Sequence, residues 1–405
     1  VTGVQTCALP IFLNTAGEVA GSLGLTGRPR FSAYGLQSGN TNVTMMMDGF
    51  QVIANYPLPD IGSTQEVDIK TFGNSADIKE IGPAMNLVIK SGGNEFHGSA
   101  STAYMKQPSS NLDDNLRKRG LTVGAQQKYF TDSGGDLGGR IVRDKLWFYG
   151  AYGYNYSGLL IPGFISIKSG QQVEYFTRLD NPTLKLTYQM SRNNKFEVTE
   201  QLNRKWQPYR NASTFVPLEA TQNQIAWTAI GPAFKYTRVM NDRMTFDASF
   251  NRSGYWWPDY AWTDDVRKID LTTTQTRGAF LELRREPVRW GWNGTWSWYK
   301  TIGQQNHEIK SGVLGYDSTN YVETYGYPNQ QIYRYRSLPG ETDYFLHPDS
   351  VQVFEYPNNT NAGIMYHSWF ANDSITVTPK LTINGGVRFD HYSSWRSEEH
   401  TSELQ

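Results

Sequence analysis

The side chains best suited to covalent or metal chemistry are thinly scattered. Six histidines, His97, His307, His347, His367, His391 and His400, stand far apart, and none has a partner at metal-ligand spacing. His391 ends a strand-like segment and His400 lies in the C-terminal tail, so solvated or interfacial roles account for the set. The adjacent carboxylates Asp113-Asp114 and Asp264-Asp265 fall in polar connecting stretches. Neighbours in sequence need not converge, and two acids acting across a sugar need a set separation. The glycine runs at 134–139 and 91–93 lack the lysine and the strand-to-helix setting of a phosphate loop. No catalytic residue, metal or cofactor is assigned, and the chain is not expected to be an enzyme.

Three other groups could recognise rather than react. Residues 255–262 read YWWPDYAW and place Tyr255, Trp256, Trp257, Tyr260 and Trp262 at the mouth of a predicted long loop. Such rings could stack on sugars or other flat ligands, but anchoring at a membrane interface is the simpler reading and the one favoured. Asp48-Gly49 sits between apolar runs in TNVTMMMDGFQVI, a pair that tolerates positive φ and so signals a hairpin. Residues 82–98, GPAMNLVIKSGGNEFHG, separate compact mixed sequence from amphipathic strands, which marks Asn86, Lys90, Ser91, Gly92, Gly93, Asn94, Phe96 and Gly98 as a junction.

The elements that must hold these groups are strands. The 405 residues contain 25 Tyr, 19 Phe, 12 Trp and 38 Gly, and no apolar run approaches the roughly 18 residues of a spanning helix. A mean hydropathy of -0.56 suits a soluble protein as well as a barrel that is apolar on one face only. Lys+Arg and Asp+Glu both number 38, which leaves no global field to attract nucleic acid. Tight turns are predicted at 140–144, 192–194, 241–243, 303–305 and 378–380. Long connections are predicted at 107–122, 158–180, 207–223, 258–287 and 317–362. Five turns and five loops imply eleven strands.

Several strands alternate strictly. In residues 288–298, Val288, Trp290, Trp292, Trp296 and Trp298 share one face, while Arg289, Asn293, Thr295 and Ser297 share the other. Residues 244–250 and 381–389 repeat the pattern. Four tryptophans on one side of a strand are hard to pack in a sandwich core, because each indole N–H needs a partner. Barrels place such rings in girdles at the lipid interface. Pro232 can give no ladder hydrogen bond, so a bulge or late strand start is expected there. Glu200 shares its face with Phe196, Val198 and Leu202, a costly place for a charge if that face meets lipid. Residues 126–137 alternate poorly and are kept as a strand on the turn count.

Residues 66–100, with NLVIKSGGNEFHGSA, resemble the end of the plug and the first barrel strand of TonB-dependent receptors, in particular the Oar-like group. Residues 133–149 resemble that group's second and third strands, and residues 31–50, ending MMMDGF, its plug motif around Asp48-Gly49. Gly82-Pro83-Ala84 and Lys79-Glu80-Ile81 depart from the small-residue and Tyr-Gly-Arg runs usual there. The resemblance implies a full barrel of about 22 strands. An odd set of eleven cannot close, so this stretch alone is expected not to form a stable pore.

The expected fold is all-β dominated: part of a transmembrane antiparallel β-barrel of about eleven strands over 93–395, preceded by a small mixed α/β plug over 12–92. Residues 1–11 and 396–405 resemble translated sequencing adapter and are set aside as non-native. Cys7, the single cysteine, leaves with the first segment, which removes disulfides and thiolate sites together. The resemblance implies a receptor in the outer membrane of a Gram-negative-type bacterium. Its partners would be outer-membrane lipid, an extracellular ligand and the TonB energy-transducing complex, whose contact segment would precede residue 12. An outer-membrane structural or adhesion barrel without import, and a secreted soluble glycan-binding β-protein, are the alternatives. The soluble reading requires the apolar face to turn toward a closed core.

Overall fold

The computed structural model describes residues 12–13, 31–33, 36–37, 44–52, 61–70, 75–79, 84–107, 112–118, 124–354 and 358–396. The end segments 1–11 and 397–405, and positions 80–83, lie outside the described residues. Three short strands, β1 (Phe12–Leu13), β2 (Phe31–Ala33) and β3 (Leu36–Gln37), form one small sheet. A second sheet, ordered β5-β4-β7-β6, is built from β4 (Thr44–Met47), β5 (Phe50–Gln51), β6 (Thr64–Lys70) and β7 (Ala84–Ile89). β4 and β5 pair as a two-residue hairpin, Met47 opposite Phe50, with Asp48 at φ 49° and Gly49 at φ 84°. Two consecutive positive φ angles are what a type I′ turn needs, and Asp-Gly supplies them at little steric cost. The segment 75–79 is a turn.

Eleven further strands form one antiparallel meander in which each pairs with the next. They are β8 (His97–Met105), β9 (Gln126–Val142), β10 (Leu146–Ile165), β11 (Gln172–Ser191), β12 (Asn194–Arg210), β13 (Gln222–Asn241), β14 (Met244–Ala261), β17 (Glu282–Ile302), β18 (Gln305–Gly326), β21 (Asn358–Thr378) and β22 (Leu381–Arg396). All five tight turns fall where the sequence placed them. Four of the five long connections are shorter than expected, while the first runs from 106 to 125; residues 158–165 and 172–180 continue the β10–β11 ladder, past a register shift after Leu160, to Ile165 opposite Gln172. Each of these strands has 20 residues, whereas about 9–11 suffice to cross a bilayer, so the ladder runs on beyond it. Residues 126–137 lie in β9, and at Pro232 the register of β13 slips against both neighbours, which is the expected bulge.

Burial is inverted relative to a soluble sandwich. Along β11, Thr183, Lys185 and Thr187 are buried while Leu184 and Tyr188 are exposed. Along β12, Thr199, Gln201, Asn203 and Lys205 are buried. Trp206, Trp227, Phe234, Phe250, Trp290, Trp296 and Trp369 look outward. Buried polar residues are the informative observation; the apolar face turns away from the interior, and the soluble reading fails on that point. Glu200 stands on the outward parity, as its spacing implied. On β14, outward rings at Phe246 and Trp256 are ten residues apart. At a rise of about 3.4 Å and a tilt of about 40° that spans roughly 25 Å, the height of an outer-membrane apolar band. The separation of the two rings therefore matches that of two girdles.

The connections at the long-loop end carry structure that the sequence did not signal. Strands β15 (Arg267–Asp270), β16 (Thr276–Arg277), β19 (Gln331–Tyr335) and β20 (Pro348–Val353) form a four-stranded sheet from two different connections, with β15 and β19 parallel. Buried Asp270 holds this canopy together by accepting bonds from Thr273 N, Thr273 Oγ1, Ser337 N and Ser337 Oγ.

Candidate functional site

The small sheet cannot bury its own core. Met47, Val52, Met85, Leu87 and Ile89 cluster with Tyr149 of β10 and Ile230 of β13, so the wall completes it. This is the physical reason a module of this size leans on the barrel.

Polar contacts fix the position of the sheet. The Asp48-Gly49 hairpin is tied to β7: Asp48 N donates to Leu87 O, Gly49 N to Asn86 Oδ1, and Ile89 N to Asp48 Oδ1 at 2.9 Å. The other carboxylate oxygen of Asp48 faces the wall. It accepts from Lys185 Nζ of β11 at 3.0 Å and from Thr199 Oγ1 of β12 at 3.2 Å. Lys185 also donates to Ile89 O at 3.2 Å and lies 3.9 Å from Glu197. Both partners of the 3.0 Å pair are under a tenth exposed, where removing one member leaves an uncompensated charge. At the far flank of the sheet, Arg388 of β22 donates to Ala76 O at 2.8 Å. Beside it, Lys79 lies over the rings of Tyr366 and Tyr392.

The junction residues form a second group. Lys90 pairs with Asp136 of β9 at 2.7 Å, and Asp136 also accepts from Ser99 N, Ser99 Oγ and Tyr149 Oη. Asn94 bridges to the β9–β10 turn through Asp144 and to Trp147 Nε1, and its carbonyl accepts from Arg140. Phe96 packs on Phe148 beneath the Arg140 guanidinium. A methyl added at Gly92 would stand 2.1 Å from Phe148 O, and one at Gly98 2.6 Å from Asp136 O, whereas Gly93 has open space. The chain passes against the wall so closely at Gly92 that a hydrogen is the only side chain that fits. Ser91 lines the cavity beside the Asp48 hairpin.

The five aromatic residues at 255–262 do not act as one loop cluster. Tyr255, Trp256, Trp257 and Tyr260 lie within β14 itself, and Trp262 follows its last residue. Tyr255 and Trp257 turn inward, where Trp257 lies under the guanidiniums of Arg210 and Arg285 and near Lys205, Gln224 and Asp259. Trp256, Tyr260 and Trp262 are on the exposed face. Trp256 sits opposite Trp227, and Trp262 packs at a tilt on Tyr209 and donates to Pro208 O. The histidines serve separate contacts: His307 with Asp373, His347 with Glu341, and His367 beside Trp292.

Above the wall, electrostatics tighten the canopy. Burial opposes ionisation of Asp270, but the bonds from Thr273 and Ser337 outweigh it and hold its carboxyl down to about 2. Burial brings Arg267 down to about 10; it donates to Ala220 O and lies over Phe280. The Glu219 carboxylate is held below its usual range: burial opposes its charge, and bonds from Ser166 Oγ and Ile167 N overcome that.

A meander that is polar inside and apolar outside, closed at one end by short turns and holding a small mixed sheet against its inner face, has known counterparts. The outer membrane transporter YddB from Escherichia coli superposes with a TM-score of 0.64 at 13% identity, over 90% of this chain and 50% of that one. The chain has the fold of the TonB-dependent outer-membrane receptors. The unliganded ferric citrate transporter FecA gives a TM-score of 0.63 at 16% identity, over 91% of this chain and 50% of that one. The ferripyoverdine receptor of Pseudomonas aeruginosa gives 0.60 at 12%, over 91% and 47%. In sequence, the chain is 33% identical over 91 residues to the TonB-dependent transporter Oar of Myxococcus xanthus, covering 22% of this chain and 9% of Oar. No family model matches. The chain spans about half the length of these solved receptors.

The Asp48 and junction positions picked out by sequence are thus brought together along the seam between plug and wall. Their partners Lys185, Thr199, Asp136 and Tyr149 were missed. The available signal was a lysine at the polar parity of β11, between Thr183 and Thr187.

Proposed function

We propose that this chain is the plug and the first barrel strands of an outer-membrane TonB-dependent receptor. It would bind an extracellular ligand beneath the loop canopy and pass it to the periplasm when the plug is displaced. The observation that carries this reading is the manner of plug attachment. The small sheet is held in the polar interior by a few side-chain ion pairs and hydrogen bonds, chiefly Asp48 with Lys185 and Lys90 with Asp136, around a shared apolar cluster. Such contacts are few enough for an external pull to break in sequence and for the sheet to reseat afterwards. Outer-membrane lipid covers the exposed aromatic face, and the inner-membrane TonB complex supplies the energy. Residues 12–92 serve as plug and 93–395 as wall.

The inward groups Tyr255, Trp257, Arg210 and Arg285 line the side of the wall that a ligand would meet first. The similarity to Oar and to siderophore receptors supports import over an adhesion barrel without transport. The test is uptake by cells carrying the full-length gene. Ligand accumulation that stops when the TonB partner is deleted sustains the reading, and accumulation or adhesion unaffected by that deletion assigns the structural role instead.

A further inference from the structure

We infer that the seam between the Asp48 hairpin and the wall is a transit site for an anionic ligand, in which a ligand carboxylate or phosphate replaces the Asp48 carboxylate on Lys185. The inference rests on the import reading above and adds to it a ligand charge and a place on the route. Beside the hairpin lies a cavity of about 310 Å³, lined on the plug side by Asp48, Asn86 and Ser91 and on the wall side chiefly by Lys185, Lys195 and Lys235. That volume lies at the lower end of the range for small-molecule pockets.

Three lysines face two carboxylates there, Asp48 and Glu197. With the hairpin docked, the lining carries one net positive charge. Glu197 is held between Lys195 at 3.1 Å and Lys185 at 3.9 Å, so it stays with the wall. Asp48 belongs to the plug, and its withdrawal leaves two net positive charges and strips Lys185 Nζ and Thr199 Oγ1 of a shared acceptor. Lys185 is then left with only Glu197, 3.9 Å away and shared with Lys195, and an under-compensated ammonium is destabilised. An incoming oxyanion restores both bonds, since a lysine holds a carboxylate or a phosphate equally as a point charge. Lys235 lines the same space outside these pairs.

The cavity also lies at the correct end of the wall. Lys195 is the second residue after the two-residue turn between β11 and β12, and short turns mark the periplasmic rim. A ligand released there is close to leaving.

The test uses purified full-length receptor and inorganic phosphate as probe, at constant ionic strength set with chloride. Asp48→Asn is expected to bind phosphate about tenfold more tightly than wild type, because the competing carboxylate is gone. Adding Lys185→Gln or Lys235→Gln removes that gain. In the wild-type protein, hydrogen exchange at the Ile89 amide, which donates to Asp48, is expected to accelerate in phosphate but not in chloride, and Lys235→Gln abolishes the difference. The exchange measurement needs no change at Asp48, so it stands if that variant fails to assemble. Equal phosphate binding by wild type and Asp48→Asn, a gain that survives the lysine changes, or exchange indifferent to phosphate each overturns the inference. None of these readouts depends on TonB. Loss of uptake with phosphate binding intact therefore speaks against the import reading alone.

Discussion

Asp48 and Lys185 lie 137 positions apart in the chain and 3.0 Å apart in the fold, and both are buried where plug meets wall. The same carboxylate also accepts the Ile89 amide and the Thr199 hydroxyl. One side chain therefore shapes the hairpin and fastens it to the barrel.

Breaking this pair from either side leaves a buried charge. Asp48→Ala and Lys185→Ala are each expected to lower the opening free energy of the plug sheet by about 3–5 kcal/mol, read from exchange at the Leu87 and Ile89 amides. The double variant should cost less than the two single changes added together. Strict additivity would show that the two residues act separately.

Gly92 and Gly93 make a matched control. A methyl at Gly92 meets Phe148 O at 2.1 Å, whereas Gly93 is open. Gly92→Ala is expected to cost at least about 1–3 kcal/mol and to reduce the heat-modifiable, folded fraction of the full-length protein in outer membranes. Gly93→Ala should leave that fraction unchanged.

The two neighbouring tryptophans should separate in effect. Trp257 lies inward between Arg210 and Arg285, and Trp256 looks outward beside Trp227. Trp257→Ala is expected to weaken ligand binding to whole cells with assembly intact. Trp256→Ala should slow membrane assembly with affinity retained. The reverse pattern would exchange the roles given to the two faces.

The canopy should loosen in acid. The bonds from Thr273 and Ser337 hold the Asp270 carboxyl down to about 2 in the fold, below the usual value of about 3.9 of an unfolded aspartate. A depressed carboxylate contributes stability that is complete above the unfolded value and is lost as pH falls through the folded one. Protease protection of the segments around Asp270 and Ser337 is therefore expected to fall between about pH 4 and pH 2. In Asp270→Asn the protection should be lower at neutral pH and lose that part of its acid dependence.

The period-two pattern made the wall legible from sequence, because whether a strand residue faces in or out depends on parity alone. The eleven strands followed from the count of tight turns and long loops, the Asp48-Gly49 hairpin from a pair that tolerates positive φ, and the Pro232 bulge from the missing N–H. The lengths of the strands were not legible, since residues 158–165 and 172–180 lack the clean alternation that marks a strand facing lipid on one side. The canopy sheet was hidden for a different reason: β15 pairs in parallel with β19, in another connection, and neither five-residue-scale strand has a local signature.

The sequence by itself determined the class of structure, the turns and the facing of the strand residues, because turn chemistry and parity are local properties. Only the tertiary structure decided which wall residues meet the plug. Lys185 is one polar-face lysine among several until β11 and β12 are set beside the hairpin. The seam cavity exists only because the small sheet borrows Tyr149 and Ile230 for its core and so stands against that part of the barrel. Contacts made across more than a hundred residues depend on how whole elements pack, and no spacing along the chain encodes them.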